Sequence, residues 1–203
     1  MPDERQFTGS AWDVLAGVRL PPGHRVEITA GKVTMTPRTA ASAAIARAVA
    51  AQAGEQSAGH GTVLTEAVVD FPSARYGYAP DVALVAPGAR PGDRGRFGWR
   101  DLEVVLEAVP RFQQDDDFVR KHRFYAECGI PLYVLVDPVA AACTVYGAPQ
   151  PGGTYREAER VPFGNDLFLP LAERTLVLRT DDFPVESPTP GAEPGVGRGI
   201  VDG

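Results

Sequence analysis

Cysteine is scarce in this chain. Only Cys128 and Cys143 occur among 203 residues. They form no CxxC pair, so neither a zinc site nor a disulfide framework is suggested. A reduced, cytoplasmic protein is the expectation. Long apolar runs are missing too: none approaches the roughly 20 residues that cross a bilayer, so no membrane association is expected. The opening MPDERQFTGS is acidic and polar and does not read as a signal peptide. There is no internal repeat, and neither GxxxxGK nor GxGxxG is present, which removes the ordinary nucleotide-binding motifs. A basic surplus is lacking as well. The net charge is -6 and the pI about 5.1, which argues against a general nucleic-acid coat protein. It does not exclude a nuclease, because carboxylates that bind divalent cations leave the metal-free site acidic.

What is present is ordinary for a soluble globular chain: 44% hydrophobic and 23% charged residues. The length suits one domain with a substantial core, over residues 1–184. The Pro/Gly-rich stretch 185–203 reads as a disordered tail. A short helix is expected around residues 11–16. Arg25 to Ile28 and Lys32 to Thr36 flank Ala30-Gly31 as a hairpin, and the Ala-rich stretch 40–52 favours a helix. Residues 62–71, 78–86 and 102–109 read as strands, 115–130 as a helix and 131–136 as a buried strand. A hairpin follows, from 142–146 and 155–160 around a turn at 147–153; 167–178 is less regular. The strand–helix–strand unit over 102–136 implies a parallel crossover, and the short connections before it imply antiparallel pairs. The fold class is therefore α/β, bordering on α+β: a mixed β-sheet flanked by helices, with additional β-hairpins.

Within the helix, Lys121 falls where apolar residues belong. At about 100° per residue, Phe118, Val119, Tyr125, Ala126 and Cys128 share one side. Arg120, Arg123 and Glu127 gather on the other. Lys121 sits inside the apolar arc. It either snorkels to solvent along its stem or meets buried anions. Two acids upstream lie in apolar strands. Asp81 follows Pro80 and either caps a strand start or serves a site. Glu107 lies deep in LEVVLEAV, where an unpaired carboxylate is disfavoured; it is either an ion-pair partner of Lys121 or a ligand. Asp, Glu and Lys brought together from two strands and a helix suit a metal-dependent phosphodiesterase. Two carboxylates and a substrate phosphate satisfy Mg²⁺ or Mn²⁺, the ion activates water, and an ammonium stabilises developing charge.

Three accessory acids complete the list. Glu103 shares a strand face with Glu107 by alternation. As a glycosidase pair the two would stand about 13 Å apart, wider than the roughly 5–9.5 Å such pairs use. Asp117 precedes Lys121 by one turn and either holds its head or is a plain helix N-terminal acid. Glu27 enters only through the resemblance below. Arg90, Arg94, Arg96 and Arg100 crowd one loop, where solubility and phosphate contact are both open readings.

The runs APDVALV, VVLEAV and DFVRKHRFYAECGIPLYVLVDP resemble the Uma-type putative restriction endonuclease family of the PD-(D/E)XK nuclease superfamily. The likeness spans roughly residues 20–170 and includes Glu27, Gly31 and Pro37 of RVEITAGKVTMTP. Its most specific part is the spaced set Pro80-Asp81, Glu107, Asp117, Lys121, Tyr125, Gly129, Tyr133 and Asp137-Pro138. The resemblance implies a restriction-endonuclease-like fold, DNA as substrate, Asp81 and Glu107 as metal ligands, Lys121 as the catalytic lysine and Glu27 as a further acid. The motif lysine lies on the helix instead of at Val109 on the strand. The chain departs from the pattern twice. Thr39 to Ala43 lack the family's histidine, and Glu107 is followed by Ala108-Val109-Pro110 instead of V-x-S-P. The rival reading is a catalytically silent relative that binds nucleic acid or protein. A homodimer is expected for cleavage of both strands of a duplex, with Phe163, Leu167 and Phe168 as interface material.

Overall fold

The structure, a computed structural model, describes residues 23–57, 61–72, 76–109 and 115–187, without the side chains of 115–117. The expected helix at 11–16, most of the expected tail and the Asp117 side chain lie outside the described residues.

The chain opens with the hairpin of β1 (His24–Thr29) and β2 (Lys32–Pro37). Thr29 pairs with Lys32 across Ala30 and Gly31, both at positive φ, as a two-residue type I′ loop demands. Thr39 caps helix α1 (Ala40–Gln56) by accepting a hydrogen bond from the Ser42 amide. Ser42, Ile45, Ala46, Val49 and Ala53 form its buried stripe. Then come β3 (Thr62–Thr65), β4 (Val82–Val85) and β5 (Leu102–Ala108). The first two are shorter than expected: Glu66 at positive φ ends β3, and Pro80 delays β4.

Helix α2 (Asp115–Glu127) leads to β6 (Leu132–Asp137). It ends in a Schellman motif. The Ile130 amide bonds to the Tyr125 carbonyl, the Gly129 amide bonds to that of Ala126, and Gly129 has φ 74°. This tight reversal drops Ile130 into the core beside Tyr125. A long hairpin of β7 (Ala142–Gln150) and β8 (Thr154–Pro162) follows, then a short one of β9 (Leu167–Pro170) and β10 (Thr175–Leu178). The irregular stretch 167–178 is thus a hairpin.

Strands β3-β4-β5-β6-β7-β8 make one sheet in sequence order. Only β5 and β6 are parallel, the pair that α2 connects. The mixed sheet with helices and extra hairpins agrees with the sequence reading. On one face α1 and the β9–β10 hairpin cover Val82, Leu84, Val104, Leu106, Val134 and Val136. On the other, Val105 and Tyr133 meet Tyr78 and the α2 residue Tyr125. Two local expectations need correction. Val119 is 62% exposed, because the buried arc of α2 is centred on Lys121, Tyr125 and Ala126. Leu167 is core, and Phe163 packs edge-on against Phe183, 5.4 Å between centroids; of the proposed interface residues only Phe168 is exposed. At the start of the expected tail, the Glu186 amide bonds to the Pro138 carbonyl.

Candidate active site

The register of β4 on β5 builds the first half of the site. Val82 pairs with Leu106, so Asp81, one residue outside β4, stands across from Glu107. Its Oδ2 accepts the Ala108 amide at 2.7 Å. Asp81 and Glu107 are 0% and 1% exposed.

Helix α2 supplies the second half. Lys121 and Tyr125, at i, i+4 spacing, stack on one face and converge on Glu107 Oε1. Lys121 Nζ is 3.3 Å away and the Tyr125 hydroxyl donates at 3.0 Å. Lys121 also forms an ion pair with Glu27 and lies 5.4 Å from the centroid of the Tyr78 ring. It is buried, so the snorkelling reading falls. Burial pushes Glu107 toward its neutral form. Lys121 and Arg25 outweigh that, aided by hydrogen bonds from Tyr125 and Lys121, and hold its pKa below the usual carboxylate value. Burial, then the Glu107 charge, pushes the Tyr125 phenol well above its ordinary value, so it stays a neutral donor.

The β1–β2 hairpin lays further charge across this pair. Alternation along β1 turns Val26 and Ile28 to a small apolar cluster with Val68 and Ala79, which leaves Arg25 and Glu27 on the face toward the site. Reciprocal backbone bonds of 2.9 Å between Ile28 and Gly77 fix the hairpin there. Arg25 Nη2 lies 2.5 Å from Asp81 Oδ2 and 3.2 Å from Glu107 Oε2. Arg38, just beyond β2, donates to Asp81 Oδ1 and to Glu66. Burial, then the neighbouring Arg25, lowers the Arg38 pKa to about 10, still charged at neutral pH.

The structure therefore brings together Asp81, Glu107, Lys121 and Glu27. It does not bring in Glu103. The pairing on β4 slips between Leu84 and Val85, a bulge that breaks the alternation of β5. Leu102 then packs in the same cluster as Val105. Glu103 instead accepts the Ala172 amide of the β9–β10 turn at 3.2 Å. The shared face expected for Glu103 and Glu107 is lost, and a carboxylate pair for glycoside chemistry goes with it. Arg25 and Arg38 escaped sequence reading. Arg25 had a signal, since it shares a strand face with Glu27. Arg38, in a connection after Pro37, had none.

Hard carboxylate oxygens from Asp81 and Glu107 fit Mg²⁺ or Mn²⁺ in kind. Among the described residues, no group of three or more His, Cys, Asp or Glu side chains forms a ready metal cage. The set instead reads as two carboxylates whose charge is balanced from three sides by Arg25, Arg38 and Lys121.

Comparison with known proteins agrees with this architecture. Superposition on the crystal structure of a putative nuclease belonging to DUF820 from Anabaena variabilis ATCC 29413 gives a TM-score of 0.60 at 15% identity, over 79% of this chain and 88% of that one. At that identity the likeness carries the fold alone, a nuclease-like mixed sheet. No curated protein matches the sequence. The model of the Uma2 family, described as "Putative restriction endonuclease", matches residues 14–181, and the chain belongs to that family.

Proposed function

We propose that the protein is a metal-dependent DNA endonuclease that hydrolyses phosphodiester bonds. The observation that carries this reading is the convergence of Lys121 on Glu107, opposite Asp81, in a buried cluster of charged side chains. Asp81 and Glu107 would hold the Mg²⁺ or Mn²⁺ ion. When bound, the ion supplies polarisation of the phosphoryl oxygen and a water acidified for in-line attack. Lys121 faces the same carboxylate from α2, so its ammonium orients that water or offsets charge on the crowded phosphorus. Glu27 fixes the lysine head, and Tyr125 fixes the Glu107 carboxylate with its neutral hydroxyl. Asp117 is a further candidate for holding Lys121.

The family assignment supports a nuclease, and DNA is the substrate class it suggests. No helix among the described residues is long and apolar enough to cross a membrane; action in the cytoplasm is part of the proposal. So is a homodimer, because two copies of one site on a two-fold axis cut both strands most simply. Sedimentation at micromolar concentration tests that part separately.

The second reading, a silent relative that binds nucleic acid or protein, is favoured by one observation. Asp81 and Glu107 are already neutralised by Arg25, Arg38 and Lys121. The experiment that decides is incubation of supercoiled plasmid with wild type and Lys121→Ala in Mn²⁺. Nicking by wild type alone supports the nuclease. Equal nicking by both points to a contaminant, and none by wild type, with no bound metal by calorimetry, favours the silent relative.

A further inference from the structure

Arg25 lies at the centre of the site, yet no step above uses it. Its Nη2 is 2.5 Å from Asp81 Oδ2 and 3.2 Å from Glu107 Oε2, and its Nε is 3.9 Å from Glu27 Oε1. One guanidinium nitrogen therefore fills the gap between the two carboxylates that would share a divalent ion. Mg²⁺ takes ligand oxygens at about 2.0–2.1 Å and dehydrates reluctantly, so ion and guanidinium cannot occupy that gap together. Both Asp81 oxygens are engaged. Oδ2 takes Arg25 and the Ala108 amide, and Oδ1 takes Arg38.

Charge leads to the same place. Asp81, Glu107 and Glu27 are met by Arg25, Arg38 and Lys121; these six sum to zero, and Glu66, the exposed second partner of Arg38, adds one negative charge at the rim. A dication added to that set leaves net positive charge among side chains that are nearly all below about a tenth exposed, an arrangement that burial penalises heavily. A cation has to leave. Arg38 is tethered outside the pair by Glu66, and Lys121 is carried by α2 on the sheet. Arg25 bridges both carboxylates and belongs to a two-stranded hairpin separate from the six-stranded sheet.

We propose that Arg25 is the resident cation of the metal-free site. It competes with the divalent ion for Asp81 and Glu107, and it withdraws when the ion enters. Metal affinity is thereby set by an internal competitor as well as by the ligands. The inference rests on the metal reading of the site given above.

The test is calorimetric titration of Mn²⁺ into full-length wild type, Arg25→Gln and Arg25→Lys, without DNA, with near-UV circular dichroism as the check on folding. Arg25→Gln, which removes the competing charge, should bind Mn²⁺ at least about ten-fold more tightly, a difference of about 1.4 kcal/mol. Arg25→Lys, with charge kept but the planar fork lost, should fall between the two. Equal or weaker binding by a natively folded Arg25→Gln overturns the competitor role alone. If that variant does not fold, Arg25→Lys carries the test, and an affinity equal to wild type overturns the role. No binding by any of the proteins at millimolar Mn²⁺ overturns this inference together with the metal reading.

Discussion

Against α1 and the β9–β10 hairpin the central strands present Val82, Leu84, Val104, Leu106, Val134 and Val136. Against α2 and the β1–β2 hairpin the same strands present Val105 and Tyr133 beside Glu107, with Asp81, Lys121 and Arg25 packed in. The first surface is held by burial of carbon, which is non-directional and tolerates swaps that conserve volume. The second adds to a cluster of Tyr78, Val105, Tyr125, Ile130 and Tyr133 a set of ion pairs whose partners are specific, and removal of one member strands another in a low-dielectric interior. Side chains of adjacent residues on one strand thus serve different ends. Leu106 stabilises the fold, while Glu107 is kept charged by Lys121 and Arg25 at a desolvation cost, which the proposed metal chemistry would put to use.

Substitutions on the two faces should separate these roles. The largest effect is expected at Lys121. Lys121→Ala should lower plasmid nicking by at least about 100-fold, the lower end of what loss of one charge-stabilising donor costs. Mn²⁺ binding should be largely intact by calorimetry, because the lysine is not a ligand. Asp81→Asn should lose both nicking and metal. Next is Leu106→Ala on the carbon face. It should cost about 2–5 kcal/mol in a denaturant titration with the Mn²⁺ affinity of the folded protein unchanged; a changed affinity would break the division between the faces. Glu103→Gln, at the bulge, should cost about 1 kcal/mol and leave nicking as in wild type.

The smallest effects are those of pH. Glu107 has its pKa held below the ordinary 4.5 in the folded chain. Its contribution is present above that value and is lost as pH falls through the lower folded one. His122, packed among Tyr133, Tyr146 and Tyr155, has its pKa lowered from 6.5 by burial. The unfolded chain binds the proton more readily, so this part of the stability is full above pH 6.5 and declines below it. Melting curves from pH 7.5 to 5.5 should show a shallow fall that His122→Phe flattens.

Much of this arrangement was legible in the sequence. A lysine inside an apolar helical arc and a glutamate deep in a strand pointed to each other as partners, although the helix alone also allowed the lysine to snorkel to solvent. The hairpin at Ala30-Gly31 and the strand–helix–strand unit followed from turn chemistry and periodicity. The contribution of Arg25 and Arg38 was harder to read, since their placement depends on how a separate hairpin docks across the sheet, through Ile28 and Gly77. Glu103 was misplaced because it is the extra residue of a bulge in β5, where Leu84 and Val85 pair with Val104 and Leu102, and simple alternation along the strand does not foretell a bulge. The split of 167–178 into two strands was hidden for a related reason. Each is four residues long, too short for alternation to show clearly.

The most direct measurement of the charged face is an anomalous difference map from a crystal soaked in Mn²⁺. The account predicts a peak ligated by Asp81 and Glu107 at about 2.0–2.2 Å, with Lys121 still beside Glu107 and the Arg25 guanidinium withdrawn from the pair. No peak at that position, with Arg25 still bridging Asp81 and Glu107 at high Mn²⁺, would contradict it.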